Sequence, residues 1–172
     1  MQKKSLCADD STLETIENYS LMVYRLAYSL VKNNSDADDI HQEVFVRYII
    51  SKPVFENEEH EKAWFIRVTT NLCKNLWKTA WKRKVISLSE YEEVHRESTG
   101  IYGKGAAEAE ENTIIDVVKL LPQKYRVVIH LFYYEEMSIE EISKVLDLNP
   151  STVRTHLTRA RRKLGKILEE DI

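Results

Sequence analysis

Glycine and proline are scarce, four and three in 172 residues, and that leaves little of the turn-forming material a β-rich fold needs. Long apolar runs are missing too. None approaches the roughly 18 residues needed to span a bilayer, so stable membrane insertion is not expected. The opening MQKKSLCADDSTLE lacks the apolar core of a secretory signal, which points to a cytoplasmic protein. The two cysteines, Cys7 and Cys73, fit neither a metal-ligand spacing nor a CxxC redox pair and read as two reduced thiols. No Gly-rich phosphate loop and no plausible nucleophile–base pair is present, and no cofactor is expected.

What remains is 43% apolar and 31% charged residues, rich in Leu, Ile, Val, Glu and Lys. That balance predicts an all-α fold of two small helical domains, 1–85 and 113–172, joined by a flexible acidic linker over 86–112. Leu13, Ile16, Val23, Leu26, Ala27 and Leu30 recur at helical spacing and predict a helix over 13–31. Asn33-Asn34 breaks it. Ser35, with Asp38 as its capping-box partner, is expected to start a second helix whose inner stripe is Ala37, Ile40, Val44 and Tyr48. Lys52-Pro53 ends it, because a residue preceding proline disfavours helix. A third helix is expected over about 59–82. Residues 86–112 lack periodicity and hold Gly100, Gly103 and Gly105. Ile114, Val117, Val118 and Leu121 then mark a helix stopped by Pro122, and Val127, Val128, Leu131 and Phe132 mark the next.

The net charge of −3 argues against a nucleic-acid binder until it is mapped. Residues 86–112 carry two basic against seven acidic side chains. By contrast, 62–84 hold seven basic and no acidic residues, and 152–166 hold six and none. Two basic stripes in an otherwise acidic chain are the pattern of local phosphate contact.

The C-terminal stripe belongs to SIEEISKVLDLNPSTVRTHLTRARRKL, residues 138–164. Ser138 and Glu141 form a capping box, and Ile142, Val145 and Leu146 supply a buried face. Asp147-Leu148-Asn149 is a tight turn in which Asp147 can take the left-handed conformation. Asn149 and Pro150 open a second helix that buries Val153, Leu157, Ala160 and Leu164. Its opposite side carries Ser151, Arg154, Thr155, Thr158, Arg159 and Arg162. A short helix, a turn and a basic second helix is the geometry that enters a major groove. There Arg can pair with guanine edges and Thr can meet a thymine methyl or a phosphate. The competing account is a solvated basic face on an ordinary terminal helix.

In DADDIHQEVFVRY, residues 36–48, Asp36, Asp39 and Glu43 fall near one helical face. A metal site is not needed to explain the aspartates, since carboxylates favour a helix N-terminus. Gln42 and Glu43 are left over, and a polar acidic face can serve as a docking surface. In KAWFIRVTTNLCKNLWKTAWKRK, residues 62–84, basic residues alternate with Trp64, Phe65, Trp77 and Trp81, a pattern suited to separated DNA strands. Trp64 and Phe65 are better read as core, and Asn71, Lys74, Asn75 and Lys78 as contacts to nucleic acid.

These segments, in this order and followed by LLPQKYRVVIHLFYYEEMSIEEISKVL and STVRTHLTRARRKL, closely resemble the extracytoplasmic-function class of bacterial sigma factors over roughly 15–84 and 113–168. The resemblance implies a factor that brings core RNA polymerase to promoter DNA. Asp36, Asp39, Gln42 and Glu43 would dock on the polymerase β′ clamp, with the β subunit as a further contact. Asn71, Lys74 and Asn75 would lie near flipped bases of the −10 element, and Arg154, Thr155, Thr158 and Arg159 would meet the −35 element. An anti-sigma protein is a further implied partner. Asp147 stands where the family often has Gly, and Thr69-Thr70 where small residues are commoner. The rival readings are a stand-alone helix-turn-helix regulator, which leaves 62–84 unexplained, and a nuclease using the 36–43 carboxylates, which lacks a second ligand set.

Overall fold

The computed structural model describes the main chain of residues 10–87 and 116–170, and the side chains of 10–79 and 116–169. Six helices make up the described chain: α1 (Asp10–Val31), α2 (Asn34–Ser51), α3 (Glu58–Ser87), α4 (Gln123–Tyr133), α5 (Ile139–Leu146) and α6 (Pro150–Glu170). Among the described residues there is no strand. The expected linker lies outside them, except that α3 continues through Ser87, past the expected end near 82.

The first lobe is α1–α3. Val23, Leu26, Ala27 and Leu30 of α1 are buried as their spacing predicts. Leu13 is half exposed instead. The boundary between α1 and α2 falls earlier than expected. Lys32 takes φ 68°, and Asn33, extended at φ −143°, is the N-cap of α2. Its Oδ1 accepts the Asp36 N–H at 2.8 Å and its Nδ2 donates to Asp36 Oδ2 at 2.6 Å. Asn33 thus satisfies one of the helix's orphan donors, and Ser35 sits inside the first turn rather than at the cap. At the other end Lys52 is left-handed (φ 43°), its N–H donates to Tyr48 O, and Pro53 follows. That is the expected stop.

Ala37, Ile40 and Val44 of α2 are buried, with Tyr48 half-buried and Phe45 added to the inner face. Phe65 of α3 organises this core. Its ring lies 4.6 Å from Tyr19, 5.5 Å from Phe45 and 5.3 Å from Tyr48, so one side chain ties the three helices together. Trp64 packs edge-on against it at 5.1 Å. Both aromatics therefore serve the core, as read from sequence. Thr69 and Thr70 are also buried, and each hydroxyl returns to a carbonyl of its own helix, Phe65 O at 2.7 Å and Arg67 O at 3.0 Å. Two polar side chains are accommodated at these buried positions because their hydroxyls are satisfied within α3.

The second lobe is a helical turn at 116–119 followed by α4–α6. Val118 and Leu121 are buried, and Pro122 both ends the turn and starts α4. The α4 face Val128 and Leu131, Ile142 of α5, and Val153, Leu157 and Ala160 of α6 are buried in one apolar cluster, with Phe132 partly buried beside it.

The two lobes meet. Arg126 of α4 is only 1% exposed, and its guanidinium donates to Lys119 O (3.1 Å), Leu121 O (2.8 Å) and, across the seam, Leu30 O (2.8 Å). A cation buried without a carboxylate is tolerated because three carbonyls replace part of its water, although its Nε is left without a partner. Burial still lowers its pKa.

Candidate nucleic-acid interface

The second lobe builds its helix-turn-helix from local hydrogen bonds. Ser138 Oγ accepts the Glu141 N–H at 3.2 Å while Glu141 Oε2 accepts the Ser138 N–H at 2.7 Å, a complete capping box. The Ser138 bonds hold the Glu141 carboxyl below its ordinary pKa. α5 ends at Asp147, left-handed at φ 53°, as expected of an Asp in this turn. Leu148 N–H donates to Ser143 O (3.0 Å) and Ser143 Oγ donates to Leu148 O (2.6 Å), which closes the turn. α6 starts at Pro150, and the Asn149 carbonyl accepts from Thr152 and Val153 N–H at 2.9 and 3.1 Å.

That start sets the rotation of α6. Val153, Leu157 and Ala160 are buried and Leu164 is half-buried, so Ser151, Arg154, Thr155, Thr158, Arg159 and Arg162 are all exposed together. The threonine hydroxyls are engaged locally, Thr155 with Ser151 O and Thr158 with Arg154 O, both at 2.9 Å. With the hydroxyl hydrogens turned back to the helix, what each offers outward is its methyl group and an oxygen lone pair. Arg154 lies 3.6 Å from Glu140 of α5, an exposed pair that competing phosphate can displace cheaply. Beneath the face, His156 meets the Tyr125 ring at 5.5 Å, and burial, with Lys124 and Arg159 nearby, lowers its pKa.

On α3, Asn71, Lys74, Asn75 and Lys78 are exposed, as their candidate role requires. They do not form one isolated patch. Lys74 lines a cleft shared with Thr70, Leu30, Gln123, Lys124 and Val127, so it sits on the side of α3 turned toward the second lobe. Trp77, one turn further on, is 43% exposed and its ring lies 5.9 Å from the Arg126 guanidinium. The Trp81 side chain lies outside the described residues.

On α2, Asp39, Gln42 and Glu43 are exposed, and Glu43 Oε1 accepts from Arg47 Nε at 2.7 Å. Asp36 differs. It is half-buried and occupied by Asn33, so its carboxylate serves the helix cap first. Val46 and Ile50, 46% and 75% exposed, continue the stripe of Asp39 and Glu43 along the outer side of α2. Their three- and four-residue steps, out of phase with the buried stripe, were the available signal for an apolar extension of this surface. Among the described residues no group of His, Cys, Asp and Glu is placed to hold a metal ion.

Comparison with known proteins decides between a sigma factor and a stand-alone regulator. The models for Sigma-70 region 2 and Sigma-70, region 4 match residues 15–83 and 111–164. The RNA polymerase sigma factor SigV of Bacillus subtilis is 30% identical over 156 residues, covering 87% of this chain and 86% of the relative. The ECF RNA polymerase sigma factor SigW of the same organism is 29% identical over 172 residues, covering 94% and 90%. The chain belongs to the extracytoplasmic-function class of RNA polymerase sigma factors. As a sigma factor it directs RNA polymerase to promoters and initiates transcription there. Its fold is similar to the sigma factor RpoE crystallised with the anti-sigma factor NepR from Bartonella quintana, with TM-score 0.73 and 19% identity over 96% of this chain and 100% of that one. CnrH in complex with the cytosolic domain of CnrY matches with TM-score 0.68 and 22% identity over 96% and 92%. Region 2 therefore corresponds to the α1–α3 lobe of this sigma factor, and region 4 to the lobe with the helix-turn-helix. No described helix is long and apolar enough to cross a membrane.

Proposed function

We propose that this sigma factor divides its work over three surfaces. Residues 1–85 dock on core polymerase through the outer side of α2 and engage the −10 element through α3. Residues 113–172 read the −35 element through α6, and 86–112 join the two. On α2, Asp39, Gln42 and Glu43 with the apolar Val46 and Ile50 meet the β′ clamp. The β subunit is a further contact. On α3, Asn71, Lys74, Asn75 and Lys78 meet unpaired bases and their phosphates, with Trp77 available for stacking. Ser151, Arg154, Thr155, Thr158, Arg159 and Arg162 face the major groove. The observation that carries this reading is the shared exposure of those six α6 residues opposite buried Val153, Leu157 and Ala160, on a helix held by a closed, capped turn.

The factor itself is not an enzyme. Polymerase supplies the chemistry of RNA synthesis, and the sigma factor supplies position and strand opening in the cytoplasm. An anti-sigma protein is a fitting regulator, since the sigma factor RpoE, of similar fold, was crystallised with the anti-sigma factor NepR. Run-off transcription with purified core polymerase tests the whole reading. Core plus this protein should initiate at a promoter carrying both elements, and neither should do so alone. Tight promoter-specific binding by the free protein, with no stimulation of core, would establish a stand-alone regulator instead.

A further inference from the structure

One buried ring of α4, Tyr125, gathers basic side chains from two helices around it. Lys124 Nζ lies 5.1 Å from the ring centre. The His156 imidazole of α6 meets the same ring nearly edge-on, with centres 5.5 Å apart and planes at 82°. His156 is thereby held at the margin of α6 nearest α4, one turn before Arg159 on the same side of the helix. Its Nδ1 is buried without a hydrogen-bond partner, whereas Nε2 is not closed off in this way. The charged groups that act on the imidazole are Lys124 from α4 and Arg159 from α6. Among the described residues no carboxylate of α4, α5 or α6 counters them. Burial first, and then these two cations, hold the free ring below its ordinary pKa.

Elsewhere on the molecule exposed cations are matched by acids: Arg47 by Glu43, Lys62 by Glu135, Lys119 by Asp116 and Arg154 by Glu140. Lys124 and Arg159 have no acidic partner among the described residues. Two cations and a basic ring drawn together without an anion repel one another, and they suit an anion that arrives from outside. Their position selects the kind of anion. Arg159 is one of the six exposed residues of α6 proposed to face the major groove, while Lys124 and His156 lie at the edge of that face. A helix seated in the groove has the sugar–phosphate backbone along its margins, where contacts set register rather than read bases. A backbone phosphate therefore fits this group, and a base edge does not.

We infer that His156 is a proton-dependent phosphate ligand: with Lys124 and Arg159 it grips one backbone phosphate beside the −35 groove, and its imidazole takes a proton from solvent as the DNA docks. This rests on the proposed groove reading by α6. In the free factor two cations oppose a third charge on the ring. A phosphate brings the opposite charge and reverses the balance, so the ring holds a proton more readily on DNA than off it. By linkage, DNA must then bind more tightly as pH falls. The gain begins as pH drops through the DNA-bound titration midpoint and is complete below the free one. The Tyr125 ring, within the roughly 6 Å range of a cation–π contact, stays beside the charged imidazole. A lysine or arginine at 156 would give a constant contact; histidine gives one that follows proton concentration.

The unmodified full-length protein supplies the first test. The probe is a fluorescent duplex that this protein selects from a random-sequence pool. Histidine resonances followed by NMR through a pH titration should show the His156 midpoint rise when the duplex is added. A midpoint that stays or falls would overturn the phosphate ligand, even if every His156 variant failed to fold. Anisotropy of the same duplex should show severalfold tighter binding at about pH 6 than at about pH 8, with about tenfold the ceiling for a midpoint rise of one unit. The slope of log affinity against log salt should steepen by up to about 0.9 at the lower pH, as one more phosphate is neutralised. His156→Gln should lose both responses and bind no tighter than the parent at about pH 8. His156→Arg should bind at both pH values as the parent does at about pH 6. A His156→Gln protein that keeps the full pH response, or a His156→Arg protein that binds no tighter than it, would overturn the ligand and leave groove reading by α6 intact. Failure to select any sequence from the pool would overturn groove reading and this inference with it.

Discussion

Arg126 shows how one side chain can hold a domain boundary. Its three carbonyl partners belong to the 116–121 turn and to the end of α1, and all three are left without it. Arg126→Met keeps most of the apolar stem and removes the donors. Each buried acceptor left unpaired costs about 1–3 kcal/mol, so the variant should lose at least about 2 kcal/mol in urea unfolding, even after the relief of desolvating the charge. A loss below about 0.5 kcal/mol would mean that water replaces the guanidinium freely. Arg159 makes the opposite case, exposed on the face of α6 proposed to read DNA. Arg159→Ala should cost about 1–3 kcal/mol at a cognate −35 site and relax preference at one base pair if it reads a base edge. If it meets only phosphate, affinity should drop evenly across sequences and the salt slope should fall by about one. A panel of −35 variants at two salt concentrations separates these outcomes, and no change on either axis would return α6 to a merely solvated basic face.

At the scale of the element, what could be read from sequence followed from whether the signal was local. The α5 capping box, the left-handed Asp147 and the Asn149-Pro150 start are all decided by side chains within a few residues of each other, and all were legible. The exposed side of α6 was legible for the same reason, since burying Val153, Leu157 and Ala160 fixes which residues are left outside. The α2 cap was misread because two candidate caps, Asn33 and Ser35, stand two residues apart. Lys32 in the left-handed region delivers the chain to the first of them. Asp36, a docking candidate, is consequently the capping partner of Asn33 as well. Val46 and Ile50 were legible but passed over, since an apolar residue in a helix is read as core until burial is known. Their exposure yields a prediction for α2. Ile50→Lys should weaken assembly with core polymerase by about tenfold, from losing an apolar contact worth roughly 1.5 kcal/mol, and leave −35 duplex binding unchanged. Equal affinity for core would confine docking to the polar residues of the stripe.

Across the whole molecule, the seam was the part no local pattern announced, because Arg126 reaching Leu30 is a meeting of residues 96 apart in sequence. Three titratable groups, one in each lobe and one between them, tie stability to pH. His41 in the first lobe lies 2.9 Å from Ser20 Oγ beside the Tyr24 and Phe45 rings, and burial lowers its pKa against the opposing pull of Asp38. His156 in the second lobe is lowered by burial and by Lys124 and Arg159. For both, the folded value lies below the ordinary histidine value of about 6.5, so the unfolded chain takes up the proton first as pH falls. Their contribution to stability is present above about pH 6.5 and is lost as pH drops through the folded values. Glu135 behaves the same way at lower pH. Burial pushes its carboxyl up, but hydrogen bonds and charges from His130 and Lys62 more than offset this and leave it depressed. Its share is present above the ordinary carboxylate range, near 4.3, and disappears below it. The melting temperature should therefore hold between pH 8 and 7, decline between about 6.5 and 5, and decline again below about 4.5. Replacing His41 and His156 with Gln should flatten the first decline and leave the second, while Glu135→Gln should reduce the second and leave the first. A first decline of unchanged slope in the double histidine variant would place the linked protons elsewhere in the chain.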